Sequence, residues 1–413
     1  VIAHSRSVID WPHPAQTNAT YVLEARFLHS QSELALNQYA SAEASISALL
    51  NNSRTELGAS RVQQLTEQLA SSIYQQAQQP QLADADVLTH LARLLQTLPD
   101  SSYHQAAAYQ QISLLHQAQQ FTAVIPLLKR FIAQYANSER YLPAKALLLD
   151  SYEQAGQWGD AAAELLQLAG SSSDEQQQRE ALYLAAQYQH KAGDSNGALN
   201  SYRSYANRYP QPHLLAQEAR QQLAELYQQK QDKYRQNFWL DKITSFEQQF
   251  AADGNDRSRQ LAAEAALALA RHESSLYSAV RLGHPLRSSL AKKRQHMTVA
   301  IKRLEQSMQY GIAGLYSEAQ FRVAQLYQQM ATALLQSDRP KGLDELALEE
   351  YELLLEEQAY PFEEQAIAIY QQNTRLTQQQ LWDDWIAQSF AQLATLLPAK
   401  FDKTEQYSEV ADD

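Results

Sequence analysis

The feature that most constrains this chain is a 37-residue period in its apolar positions. Val87, Val124, Ala161 and Ala198 form one column, Leu91, Leu128, Leu165 and Tyr202 a second, and Leu94, Phe131, Leu168 and Tyr205 a third. A fourth, Pro99, Ala136, Ser173 and Pro210, marks where the chain should leave a helix. Such a period is the signature of stacked repeats, because one unit alone cannot bury its apolar face. Within each unit the apolar residues fall at i, i+4 and i+7, which is one face of a helix. A second amphipathic stretch precedes it, as in AKALLLDSYEQAG (144–156) and REALYLAAQYQHKAG (179–193). Both end on glycine, Gly156 and Gly193, the residue that most readily takes the left-handed position after a helix. A unit is therefore a helix hairpin, and stacked hairpins generate a superhelix with a concave face.

Composition narrows the possibilities further. Only 11 Gly and 12 Pro punctuate 413 residues, too few for a β-rich protein, and the abundant Ala, Leu, Gln and Glu favour helix. A hydrophobic content of 45% excludes a disordered chain. The net charge of −12 has the wrong sign for nucleic acid. No apolar run approaches the roughly 18 residues needed to cross a bilayer. The absence of cysteine removes disulfides, zinc–thiolate sites and thiol chemistry, and suits an oxidising periplasm as well as a cytosol. The chain begins at Val1 without Met and carries no visible signal peptide, which suggests a processed chain or part of something longer.

The residues at the repeat positions resemble the tetratricopeptide (TPR) motif. Tyr152, Gly156, Trp158, Ala161 and Leu165 match it, as do Ala198, Tyr202 and Pro210. The departures are the 37-residue spacing, against the motif's usual 34, and Ala136 and Ser173 where proline is usual. The resemblance implies an all-α, TPR-like α-solenoid of helix hairpins in a right-handed superhelix, with a less regular C-terminal helical part. The expected organisation is a repeat array over 1–250, clearest over 60–212, an irregular helical region over 251–400, and an acidic tail over 401–413. The boundary is placed at AADGNDRS (251–258), which is polar and contains Gly254. Long helices are expected over 259–280, 289–309, 315–336 and 343–359, and Tyr360-Pro361-Phe362 should turn the chain after the last. Near the start, WPHPAQ (11–16) should be extended, and 18–36 with 39–51 should form a first hairpin.

The end of the chain carries a longer signature, SDRPKGLDELALEEYELLLEEQAYPFEEQAIAIYQQN (337–373). With YANRYPQP (205–212) and the Trp382/Trp385 region, it resembles one family of large proteobacterial cell-envelope TPR proteins. These are associated with Ton/Tol-like energy-transduction loci, and this chain would be a carboxy-terminal portion. The resemblance implies an exported, periplasmic or envelope-associated protein without catalytic residues. The residues themselves leave a cytoplasmic location open.

Motifs for chemistry are sparse. The eleven His occur singly, without the i, i+3 or i+4 pairing of metal ligands, and no glycine-rich phosphate loop or nucleophile elbow is present. No cofactor, metal or reaction is therefore expected. One alternative is an enzyme acting on peptidoglycan. LARHESSL (269–276) resembles the stretch around the acid of lytic transglycosylases, in which Glu273 would protonate a glycosidic oxygen from an apolar pocket. The Gly-Leu-Met-Gln segment that follows in those enzymes is missing here. The favoured expectation is a scaffold for protein or peptide partners. By the TPR register the groove-facing residues are Tyr109, His116, Asp150, Tyr183, Gln187, His190 and Glu225, aromatic and hydrogen-bonding groups suited to a peptide. Charge is segregated towards the end of the chain. Residues 287–303 hold Arg287, Lys292, Lys293, Arg294, Lys302 and Arg303 and no acid, whereas 342–374 hold nine acids and no Lys or Arg. Either the two segments face one another or each is solvated, or Glu349, Glu350, Glu356 and Glu357 form an exposed acidic face for a basic partner.

Overall fold

A computed structural model describes residues 1–12 and 19–403 of the chain. Among the described residues there are nineteen α-helices and no strand. In the first half they are α1 (Ile2–Ile9), α2 (Ala19–Ala35), α3 (Tyr39–Asn52), α4 (Arg54–Ala77), α5 (Asp84–Thr97), α6 (His104–Gln117), α7 (Phe121–Gln134), α8 (Tyr141–Gln154) and α9 (Trp158–Ser171). There follow α10 (Glu175–Lys191), α11 (Ser195–Arg208), α12 (His213–Gln229), α13 (Lys233–Gln249), α14 (Asp256–Ala279) and α15 (Leu286–Gln309). The last are α16 (Ala313–Leu335), α17 (Glu345–Thr374), α18 (Asp384–Leu396) and α19 (Pro398–Phe401). Most helices adjacent in sequence pack against each other, as α3 does α4, α10 does α11 and α16 does α17, and first helices of successive hairpins also touch, as α12 does α14 and α14 does α16. This is the all-α, TPR-like arrangement the period predicts.

The hairpin turns share one local device. The chain passes from α8 to α9 through Gly156 (φ +68°) and from α10 to α11 through Gly193 (φ +79°), both left-handed as expected. The corresponding turns after α2, α6 and α12 use Asn37, Gln119 and Gln231 at φ 56–58°. A side chain in that region costs about 1–2 kcal/mol, so packing of the two helices sustains these three turns against local preference. Asp194 and Asp232 then cap α11 and α13 by accepting from the N–H of Gly197 and Arg235 at 2.9 and 3.0 Å.

By contacts the chain divides into two compact units, Val1–Glu164 and Leu165–Asp413, with the division inside α9. Among the described residues of the first unit, one apolar cluster gathers around Ile46, Leu49 and Leu65 and another around Ile73, Leu91 and Leu94. Polar rungs reproduce the period here: Arg61 Nη1 meets Glu24 Oε1 at 2.6 Å, and the Gln31 and Gln68 amides pair at 2.7 and 2.8 Å, each pair 37 residues apart. In the second unit Ala198, Tyr202, Tyr205, Trp239, Leu240, Leu261 and Leu269 belong to a single cluster. This cluster draws residues from both sides of the expected boundary at 250/251. Glu247 also ties across it, accepting from the Ser258 hydroxyl at 3.0 Å while holding His213 at 2.7 Å, with both the acid and the histidine buried. The polar composition of 251–258 reflects a short 3-10 turn at Ala251–Asp253 and the Asn255 cap of α14, not a linker.

Two further expectations change. Residues 345–374 form one helix, because Pro361 lies on its solvent side while Leu355, Ala359, Ala366 and Tyr370 continue the buried face through it. The Tyr360-Pro361-Phe362 segment is thus no turn. Lys293 is not part of an exposed basic run: it is buried, donates to the carbonyls of Tyr277 and Val280 at 3.0 and 2.9 Å, and lies 4.0 Å from the centre of the Tyr277 ring. A cation that satisfies the last carbonyls of α14 is worth burying. The expected extended segment 11–16 falls mostly, and the acidic tail from 404 entirely, outside the described residues.

Candidate functional site

Tyr183, Gln187 and His190 stand at i, i+4 and i+7 on α10, so they share one face of that helix. Leu214, Leu215, Glu218 and Gln222 of α12 stand opposite, and the two sets line a cleft of about 790 Å³. The Tyr202 side chain from α11 also lines it. The Tyr183 ring packs 5.0 Å from Tyr205 and 6.0 Å, edge-on, from Tyr202, which gives the cleft an aromatic base. Burial pushes the Tyr183 hydroxyl above the usual tyrosine range, Glu218 adds to this, and a hydrogen bond with Gln187 works against it. Burial also raises Tyr202 and lifts Tyr205 to about 12. All three phenols therefore stay neutral at ordinary pH and keep a proton to donate. Glu218 accepts from Arg257 Nε of α14 at 2.8 Å, which fixes one carboxylate at the rim. Glu225 lies two turns further along α12 and accepts from Gln221 and Gln222 at 2.9 and 3.0 Å, so it positions Gln222 beside the cleft.

The remaining groove candidates belong to the other unit. His116 of α6 and Asp150 of α8 meet at 2.6 Å between Nε2 and Oδ2, and the His116 ring stands edge-on to Phe121 at 5.4 Å. Tyr109 packs on Phe131 at 5.5 Å under the Arg140 guanidinium, 4.8 Å from its ring centre. Six of the seven residues thus make contacts between helices or line the cleft, and Glu225 braces its own helix.

Glu273 of α14 lines a separate cleft of about 520 Å³ that also holds Tyr234, Phe238, Asp241 and Arg303. Its carboxylate is a quarter exposed and lies 3.0 Å from His296 Nδ1. The second acid, Asp241, pairs with Arg303. This differs from the expected apolar pocket: each carboxylate has a basic partner within ion-pair distance.

On α17, Glu349, Glu350, Glu356 and Glu357 are all exposed, and Leu346, Leu353 and Leu354 among them are 67%, 61% and 51% exposed. Among the described residues no ion pair joins 287–303 to 342–374. Arg303 goes to Asp241, and within the acidic helix only Glu352 has a cationic partner, Arg339 at 3.3 Å. The two segments nevertheless touch, because the Arg294 guanidinium lies 5.8 Å from the centre of the Phe362 ring.

No protein-family model matches the chain, and no curated protein matches it. Among solved structures, the TPR domain of P58(IPK) is 14% identical over 92% of this chain and 99% of its own, with a TM-score of 0.23. A human IFIT1 dimer with m7Gppp-AAAA is 12% identical over 96% of this chain and 86% of its own, also at 0.23. At that score the superposition is loose. The TPR-like character of the chain rests on its own hairpins.

Sequence reasoning missed the α12 side of the cleft. Glu218 and Gln222 lie seven and three residues before Glu225, on the same helical face, so the register that picked out Glu225 already contained them. Tyr202, a repeat position, both packs in the core and lines the cleft.

Proposed function

We propose that this chain is a non-catalytic scaffold of the cell envelope that holds protein or peptide partners. The observation that carries this reading is the α10/α12 cleft. Its tyrosine base supplies apolar area with neutral hydroxyl donors, and its Gln187, His190, Glu218 and Gln222 rim supplies hydrogen-bonding groups along a peptide-sized channel. The exposed acidic and leucine-bearing face of α17 is a second contact, suited to a partner with a basic and apolar surface. The likeness of 337–373 to envelope TPR proteins supports the location, and no described helix is long and apolar enough to cross a membrane.

A pull-down from periplasmic extract at low salt, with wild type and a variant carrying Glu349, Glu350, Glu356 and Glu357 all changed to Lys, tests the α17 contact. The account expects the partner recovered by wild type to be depleted with the variant, mainly through slower association. Equal recovery would make the acidic face mere solvation.

A further inference from the structure

A second cleft, of about 720 Å³, lies between α11 and α13 and was not suggested by the repeat register. Its lining contains no carboxylate but holds Arg203, Lys230 and Arg235, in a chain whose net charge is −12. Arg235 is paired with Asp232 at 3.0 Å. Among the described residues the other two cations hydrogen-bond to neutral partners and form no ion pair: Arg203 donates to the Tyr227 hydroxyl at 2.8 Å and Lys230 to Asn196 Oδ1 at 3.0 Å. Both side chains are thus held in place without a carboxylate.

The rest of the lining is equally specific. Asn196, Asn200, Arg203 and Asn207 follow one another at four, three and four residues along one exposed face of α11. At about 1.5 Å per residue that places a polar rung every ~4.5–6 Å. An extended peptide presents the same side every two residues, about 6.7 Å apart. A carboxamide offers one acceptor and two donors, the complement of a peptide unit. Facing this row on α13 are Tyr234, 83% exposed, and Phe238, 47% exposed, one turn apart. Aromatic rings left in water beside a cleft are the usual anchors of an interface.

We propose that the α11/α13 cleft binds an extended acidic peptide segment of a partner protein. Its backbone runs along the asparagines of α11, its carboxylates meet Arg203 and Lys230, and a large apolar side chain packs on Tyr234 and Phe238. A single nucleic-acid strand would also find cations and rings here. It brings a charge at every step, however, and the neighbouring cleft along α13 presents Asp241 and Glu273 to it. A peptide places acids only where the cations are. This site is separate from the α10/α12 cleft, and neither depends on the other.

Fluorescence anisotropy tests the proposal with three labelled probes: an octapeptide alternating Asp with Phe or Leu, its counterpart with Lys for Asp, and an oligo(dT) strand. The acidic peptide should saturate the protein and bind more tightly than either of the others. Arg203→Glu should weaken it by about tenfold or more. Tyr234→Ser and Asn200→Asp, at exposed positions where folding is not at stake, should each weaken it severalfold, whereas Gln248→Ala, at an exposed position on α13 outside the cleft, should leave it unchanged. Circular dichroism checks that each variant is folded. No saturable binding of the acidic peptide, tighter binding of oligo(dT), or binding indifferent to both Tyr234→Ser and Asn200→Asp would overturn the proposal.

Discussion

At the scale of single residues, the turn positions and the buried tyrosines carry the clearest consequences. A Cβ at Gly193 would meet nothing within 4 Å, so Gly193→Ala isolates the backbone cost of a left-handed alanine, about 1–2 kcal/mol. Urea denaturation should show that loss, and unchanged stability would mean the α10–α11 turn is not as described. The tyrosines impose a pH dependence. Burial raises Tyr205 to about 12, above the unfolded value near 10, so the folded state holds the proton more tightly. Its stabilisation is complete below about pH 10 and is lost as pH rises through about 12. Thermal melts over this range should fall, and after the exposed tyrosines have ionised a second rise in tyrosinate absorbance, from the buried ones, should accompany unfolding; ionisation of all tyrosines in one early step would contradict their burial. Some residue roles were legible and others were not. Gly156 and Gly193 were readable because glycine declares a left-handed turn. Gln119 and Gln231 adopt the same conformation and say nothing in sequence, since packing rather than propensity places them there. Lys293 misled for a related reason: a lysine in a basic run looks solvated until a neighbouring helix end is found above it.

At the scale of elements, the hairpins of the repeat region followed from periodicity because each buries one stripe. Tyr152, Tyr202 and Tyr205 are all fully buried at their repeat positions, as are Ala161 and Ala198. Full burial of a large side chain is worth roughly 1.5–3 kcal/mol, enough to hold a register. Helix α17 was harder to read. Its sequence contains a proline that ordinarily ends a helix, but the apolar spacing on either side of Pro361 stays in phase and the tertiary contacts prevail. If that is right, Pro361→Ala restores one backbone hydrogen bond at a solvent-facing site and should raise stability by about 1 kcal/mol or more in urea titrations. A loss of stability would instead mean that the proline serves a turn. The α10 half of the cleft was readable from one helix face. The α11/α13 cleft was not, because its asparagines and cations lie on the outer side of their hairpins, where sequence shows only ordinary polar surface.

At the scale of the whole molecule, two compact units each bury their own apolar clusters, and the surface features fall unevenly between them. The cleft with its tyrosine base, the asparagine-lined cleft and the acidic face of α17 all belong to Leu165–Asp413. The central claim is that this unit holds partner proteins through its surface, with the α10/α12 cleft as a grip. Site-specific photocrosslinking in intact cells tests it most directly, with a photoreactive residue at Gln187 in the cleft and, as a control, at the exposed Gln248 on α13. The account predicts a discrete protein adduct from position 187 that weakens when Tyr183→Ala is added, and no such adduct from position 248. No adduct from 187, or the same adduct from both positions, would contradict it.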